Sequence, residues 1–316
     1  MDINYESRAF PSTTGIVNGA NMLPANWNDI LWAALTVGRP NRHYVFRHGQ
    51  SSQYEALFRM SLVRMAVQQS GSFGRRLRRT EAVKSLDPTE KGAVSYFLGM
   101  VMCKLFSLKL LDTAWLLHLD VFRPLLNPVL NGRSRPDLIG ESSSGTWIAF
   151  ESKGRVSPPD RSAKDKSKAQ ALRCLSVNGQ KVTMHIGAIT FFKNDSLQFY
   201  WEDPPNSGDQ KNGIRVQAAD NIWRFHYLPT LELLHDAEPT GANREEVSLS
   251  LQNIDLEIGI AKDVLRLLQL EKWREARTWC REHHKRLTER GFFPDGIRVV
   301  AGKKWQDRFD ELEFEL

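Results

Sequence analysis

The chain has 316 residues, 41% of them hydrophobic and 25% charged, a balance that excludes a small disulfide scaffold, a collagen-like repeat and an intrinsically disordered segment. Lys and Arg number 43 against 37 Asp and Glu, a formal net charge of +6, and this mild basic excess favours a polyanionic partner. Cys103, Cys174 and Cys280 lie far apart with no Cys-x-x-Cys pair, so neither a zinc ribbon nor a disulfide framework is encoded and a reducing, cytoplasmic setting is expected.

The opening Met1-Asp2-Ile3-Asn4-Tyr5-Glu6 carries neither a basic nor an apolar signal region, so no secretory leader is expected. Residues 1–85 read as an irregular opening followed by helix. Ser51-Ser52 caps a segment from Gln53 to Gln69 in which Leu57, Met60, Leu62, Val63 and Met65 recur at helical spacing. Gly74-Arg75-Arg76-Leu77-Arg78-Arg79 then forms a basic loop, suited to phosphate contacts or to a solvated face. Asp87-Pro88-Thr89-Glu90 is a helix start, with an acid at the cap and proline in the first turn, and the helix runs to about Leu111. Lys104, Lys109 and Asp112 interrupt the apolar stretch Gly92 to Leu117. Such charges are costly in lipid, so a core helix that turns them to a solvated face is expected, and no membrane span. Trp115 to Phe122 reads as a strand, broken by Pro124 and Pro128.

From Ser134 the pattern becomes strand, turn, strand, helix and strand. Arg135 to Ile139 and Thr146 to Lys153 are extended, joined by the turn-rich Gly140-Glu141-Ser142-Ser143-Ser144-Gly145. A polar loop leads to a helix over Ser162 to Leu175. His185 to Phe192 follows as a buried strand, and Leu197 to Trp201 as a more exposed one. Asp203 to Gly213 is loop, Ala218 to Leu234 a short helical segment and Asp236 to Arg244 a polar connection. Between Ile254 and Arg290, Val264, Leu265, Leu267, Leu268, Trp273, Ala276 and Trp279 outline an apolar helix face, read as core packing. The tail Asp307 to Leu316 alternates acidic and apolar residues. The expected division is a mainly helical region 1–85, an α/β core 86–235 and a helical region 245–316.

The residues that carry chemistry lie in the predicted hairpin. Side chains alternate along a strand, so Glu151 and Lys153 share one face. A hairpin symmetric about Ser144 sets residue 137 across from residue 151, which brings two carboxylates and an ammonium together at a sheet end. Two carboxylates plus the backbone carbonyl of Ser152 suit a hard divalent ion, magnesium first and manganese as the alternative. Such an ion stabilises charge on a phosphorane and acidifies water, while Lys153 orients that water or offsets the developing charge. The competing structural reading is a surface salt bridge of little consequence.

Pro136-Asp137 followed by Glu151-Ser152-Lys153, with strands on either side and a helix bearing Lys164, Lys168 and Gln170 after them, resembles the PD-(D/E)XK, or restriction-endonuclease-like, nuclease superfamily over about residues 88 to 202. The resemblance implies an α/β fold with a mixed central sheet flanked by helices, here with added N-terminal and C-terminal helical segments. It implies a metal-dependent endonuclease with Asp137, Glu151 and Lys153 catalytic and Asp137, Glu151 and Ser152 holding the ion. Family members often add a glutamate from the preceding helix, for which Glu90 is the first candidate and Glu55 the second. Arg133, Arg135, Arg155, Lys168, Gln170 and the Arg75, Arg76, Arg78 and Arg79 cluster are the expected contacts to the phosphate backbone. DNA is favoured over RNA because most relatives cut DNA. Control by a protein partner or by homo-oligomerisation is expected, within an anti-phage or restriction system.

Two other readings stand beside this one. A nuclease-like fold can bind nucleic acid or a partner without cutting. Arg47-His48-Gly49 resembles the phosphohistidine signature of the histidine phosphatases, yet none of the other seven histidines is followed by glycine, as that family's second histidine typically is. His283-His284 is not a ligand pair, because neighbours on a helix point about 100° apart.

Overall fold

A computed structural model describes residues 1–37, 50–70, 75–119, 135–205, 213–235 and 245–306. Arg133, the Arg47-His48-Gly49 motif, Pro124 and Pro128, most of the loop after Asp203, the connection from Asp236 and the C-terminal tail lie outside them.

The centre of the molecule is a nine-stranded mixed sheet. Its middle is laid down by consecutive elements: helix α4 (Pro88–Leu111), strands β5 (Trp115–His118), β6 (Leu138–Glu141) and β7 (Trp147–Gly154), helix α5 (Arg161–Ala171) and strand β10 (Met184–Lys193). Strands β5, β6 and β7 pair antiparallel, and β10 joins β7 in parallel. Strand β11 (Ser196–Glu202) returns antiparallel beside β10. It is less completely buried than β10, as expected, and β1 (Asp2–Arg8) covers its free edge in parallel register. β2 (Gly19–Pro24) completes that side as the partner of β1.

These two strands correct the reading of the opening residues as irregular. Only Ile3 and Ser7 of β1 are buried, too sparse a pattern to announce a strand. Helix α1 (Trp27–Thr36) follows, opened by a capping box between Asn26 and Asp29. Helix α2 (Gln50–Ala66) occupies the expected segment but stops at Ala66, where β3 (Val67–Gln69) begins. Leu77 to Arg79 is a strand, β4, paired with β3 and with β11, and not a basic loop. Helix α3 (Glu81–Ser85) leads into α4.

Helix α4 starts where its cap chemistry requires: Asp87 accepts from the amides of Thr89 and Glu90, while Glu90 accepts from the amide of Asp87. It is the one described helix long and apolar enough to cross a membrane, and 72% of its apolar window is buried inside the fold. Lys104 does not turn to solvent as expected. It is fully buried, its ammonium donating to the Ala114 carbonyl and lying 4.8 Å from the centre of the Trp32 ring. Lys109 pairs with Asp29 at 2.7 Å.

Helix α5 ends at Ala171, earlier than expected, and β8 (Cys174–Val177) takes up the apolar residues that follow, pairing with β9 (Gln180–Lys181) and β12 (Ile214–Val216). Helix α6 (Arg224–Leu234) lies where a helical segment was predicted. The C-terminal part is not all helical. Strands β13 (Glu246–Leu251), β14 (Leu256–Ala261) and β15 (Ile297–Ala301) form an antiparallel sheet around α7 (Lys262–Gln269), α8 (Trp273–Glu282) and α9 (His284–Glu289). Short apolar runs such as Leu256 to Ala261 satisfy strand and helix patterns alike, and pairing with remote β13 and β15 decides between them. The three cysteines are free and buried.

Candidate active site

The β6–β7 hairpin has the expected register. Leu138 faces Phe150, Ile139 faces Ala149 and Glu141 faces Trp147, all symmetric about Ser144. One residue before the paired ladder, Asp137 Oδ2 accepts a 2.9 Å hydrogen bond from the Ser152 amide. The Asp137 carbonyl accepts from the Leu119 amide at 2.8 Å, which ties this corner to β5.

Glu151 and Lys153 point to the face of β7 that α5 covers. Gly187 sits opposite Glu151 in the parallel β7–β10 ladder. A Cβ there would come within 3.0 Å of the Lys168 amide nitrogen and of Ser167 Oγ. Helix α5 buries its small residues Ala163, Ser167 and Ala171, spaced i, i+4, i+8, against the sheet. This close approach sets Gln170 above the site. Lys153 Nζ donates to Glu151 Oε1 at 2.5 Å and to Gln170 Oε1 at 2.8 Å. Helix α4 packs on the opposite face: a Cβ on Gly154 would strike the Ser95 carbonyl, so only glycine permits the helix to lie there.

Glu151 is 2% exposed, and its Oε2 is buried with no hydrogen-bond partner. Burial first, then the neighbouring Asp137 carboxylate, push its pKa up to about 8 against the opposing pull of Lys153. An uncompensated buried oxygen beside a second carboxylate is costly in a packed core and fits a cation as the missing partner. Asp137 and Glu151 supply hard oxygen donors of the type that magnesium or manganese takes.

Among the described residues no third His, Cys, Asp or Glu joins this pair. That corrects the expectation for Glu90 and Glu55. The Glu90 carboxylate is spent on the cap of α4, on the far face of the sheet, where it accepts from the Asp87 amide at 3.3 Å. Glu55 forms an ion pair with Arg59 at 2.9 Å, within its own helix.

The predicted phosphate contacts divide in the same way. Arg79 donates to Asp195 at 2.7 Å across the β10–β11 turn, with Arg78 at 3.8 Å from the same carboxylate, so that acid partly neutralises both. Arg75 and Arg76 remain exposed. Arg155 directly follows β7, its amide donating to the Thr190 carbonyl and its Nε lacking a partner. Arg135 is half-buried, two residues before Asp137 in the chain. Lys168 is held by Asp165 at 2.9 Å and lies 3.5 Å from Glu202. Gln170 touches Lys153, a role different from the predicted phosphate contact. Ser167, whose buried Oγ has no partner beside the Glu151 face, was not foreseen, although the Ala163–Ser167–Ala171 spacing marks it as facing the sheet.

Comparisons with family models, with curated proteins and with solved structures found no match to this chain.

Proposed function

We propose that this chain is a divalent-cation-dependent endonuclease of the PD-(D/E)XK type that hydrolyses phosphodiester bonds in DNA. One observation carries the reading: Glu151 has a buried, unpartnered Oε2 in a hydrogen-bonded group with Lys153, beside Asp137. The order of elements supports it, since a helix, the acid-bearing hairpin, a second helix and a strand parallel to β7 follow one another as the resemblance implies.

In this reading Asp137, Glu151 and the Ser152 carbonyl hold the ion, which when bound supplies Lewis-acid stabilisation of the phosphorane and a more acidic water. The residues do the rest. Asp137 is held in place by the Ser152 amide, so its position does not depend on a mobile rotamer. Lys153, oriented by Gln170, presents its ammonium beside Glu151 to orient the attacking water or to offset negative charge on the scissile phosphate. The raised pKa of Glu151 favours its protonated form, and a cation held there would take the place of that proton. Exposed Arg75 and Arg76 remain candidates for the phosphate backbone. An unrestrained nuclease endangers its own cell, so the reading includes control by a partner or by oligomerisation, by analogy with anti-phage and restriction systems.

The test is incubation of purified protein with supercoiled, linear and single-stranded DNA and with RNA, in magnesium or in chelator. Nicking that requires magnesium and disappears in Asp137→Ala and Lys153→Ala is the expected result. Cleavage that survives both substitutions overturns the site. Binding without metal-dependent cutting assigns the silent, nucleic-acid-binding reading instead. Phosphate release from a monoester, lost in His48→Ala, would favour the phosphohistidine motif.

A further inference from the structure

The opposite end of the β6–β7 hairpin carries a second polar site, independent of the nuclease reading. Helix α8 presents Arg274, Arg277 and Arg281 along one face, a spacing that makes neighbours of like charges. All three line a cavity of about 360 Å³, together with Glu141 and Asp220. Arg277 is almost wholly buried, its guanidinium 3.7 Å from the centre of the Trp223 ring. It donates from Nη2 to Glu141 at 2.6 Å, and its Nε has no partner. Arg281 donates from Nη2 to the Ser142 carbonyl at 3.2 Å and lies 3.5 Å from the same Glu141, and its Nε is also unpartnered. One carboxylate therefore serves two guanidiniums. The other, Asp220, faces the exposed Arg274 at 3.6 Å. Each guanidinium has five N–H donors in a rigid fork, so donors outnumber acceptors here by a wide margin.

We infer that this cavity binds a small phosphorylated ligand. Arg277 and Arg281 offer a phosphate group the planar donors that it pairs with bidentately. Gln180 and Thr278, exposed at the rim, provide uncharged partners for hydroxyl or amide groups on the rest of the ligand. Glu141 and Asp220 limit the net positive charge of the wall to one, which suits a single phosphate better than a run of them. The partly open concavity, in the size range of small-molecule pockets, differs from the extended basic stripe that follows a polynucleotide backbone. Glu141 lies four residues from Asp137, about 13 Å along the strand, so the two sites are separate.

Titration calorimetry and indole resonances of Trp223 test the proposal, with inorganic phosphate, adenosine 5′-monophosphate and a short oligodeoxynucleotide as probes. Phosphate and the nucleotide are expected to bind and to shift the Trp223 indole signal. Arg281→Gln is expected to weaken nucleotide binding at least tenfold, and Asp137→Ala to leave it unchanged. Should Arg281→Gln fail to fold, the exposed Arg274→Gln is read in its place, with a several-fold loss expected. The proposal is overturned if neither small probe binds at millimolar concentration, if binding persists in both arginine variants, or if only the oligodeoxynucleotide binds.

Discussion

Two groups of ionisable residues with the same ingredients, an acid and a lysine, finish in opposite states. At Asp295 both carboxylate oxygens are satisfied. Its carboxylate accepts from Trp32 Nε1 at 2.8 Å, from the Ile297 amide at 3.0 Å and from His226 Nε2 at 2.7 Å. His226 Nδ1 faces the Lys104 ammonium at 3.4 Å. Burial, reinforced by Lys104, lowers the His226 pKa to about 4, so the ring is neutral, donating from one nitrogen and accepting at the other. This sealed network joins α1, α4, α6 and the approach to β15. Around Glu151 the balance is left open: an oxygen without a donor and a carboxyl that holds its proton to about pH 8. Saturation separates this structural staple from the site proposed to carry chemistry.

The sharpest break in this comparison is functional loss without structural loss. Asp137→Asn should lower magnesium-dependent cleavage by about 10²–10⁴-fold while the denaturant midpoint stays near the wild-type value, as activity assays paired with urea unfolding would reveal. Asp295→Ala should do the reverse, costing about 3–5 kcal/mol because it strands the hydrogen-bond donors of a buried network. A stability change below 1 kcal/mol would remove the staple from the account.

Next in size is the response of Glu151 to pH. Its folded-state pKa lies above the ordinary 4.5, so its contribution to stability is full below 4.5 and is lost as pH rises toward about 8. Magnesium should reverse this loss, with a thermal shift that grows over the same interval. Glu151→Gln should stabilise the metal-free protein by about 0.5–2 kcal/mol at pH 8 and abolish the magnesium response. His226 has the opposite sign. Its pKa lies below the ordinary 6.5, so its contribution is present above 6.5 and is lost as pH falls toward about 4. The smallest effect belongs to Gln170, which positions Lys153 without being placed to touch substrate. Gln170→Ala should lower kcat about tenfold with little change in KM or in melting temperature.

Features set by neighbouring residues were legible before any fold was known. The Asp87-Pro88-Thr89-Glu90 start of α4, its end at Leu111 and the symmetry of the hairpin about Ser144 all appear as expected. So does the convergence of Asp137, Glu151 and Lys153, because strand alternation and turn length suffice to bring those residues together. Features set by remote contacts were not legible. Arg78 and Arg79 read as free cations until Asp195 arrives on the β10–β11 turn. Lys104 reads as a solvated charge until Trp32 and His226 enclose it. The leading strand β1 shows too weak a pattern to be recognised apart from β11.

The amino-acid order by itself therefore determined which three side chains meet at the end of the hairpin, since that depends only on local geometry. Tertiary structure alone decided that Gln170 anchors Lys153 and that three arginines line a cavity with Glu141. Those outcomes depend on how closely helices lie on a sheet and on which distant carboxylate reaches which cation first, and no local pattern in the chain encodes either.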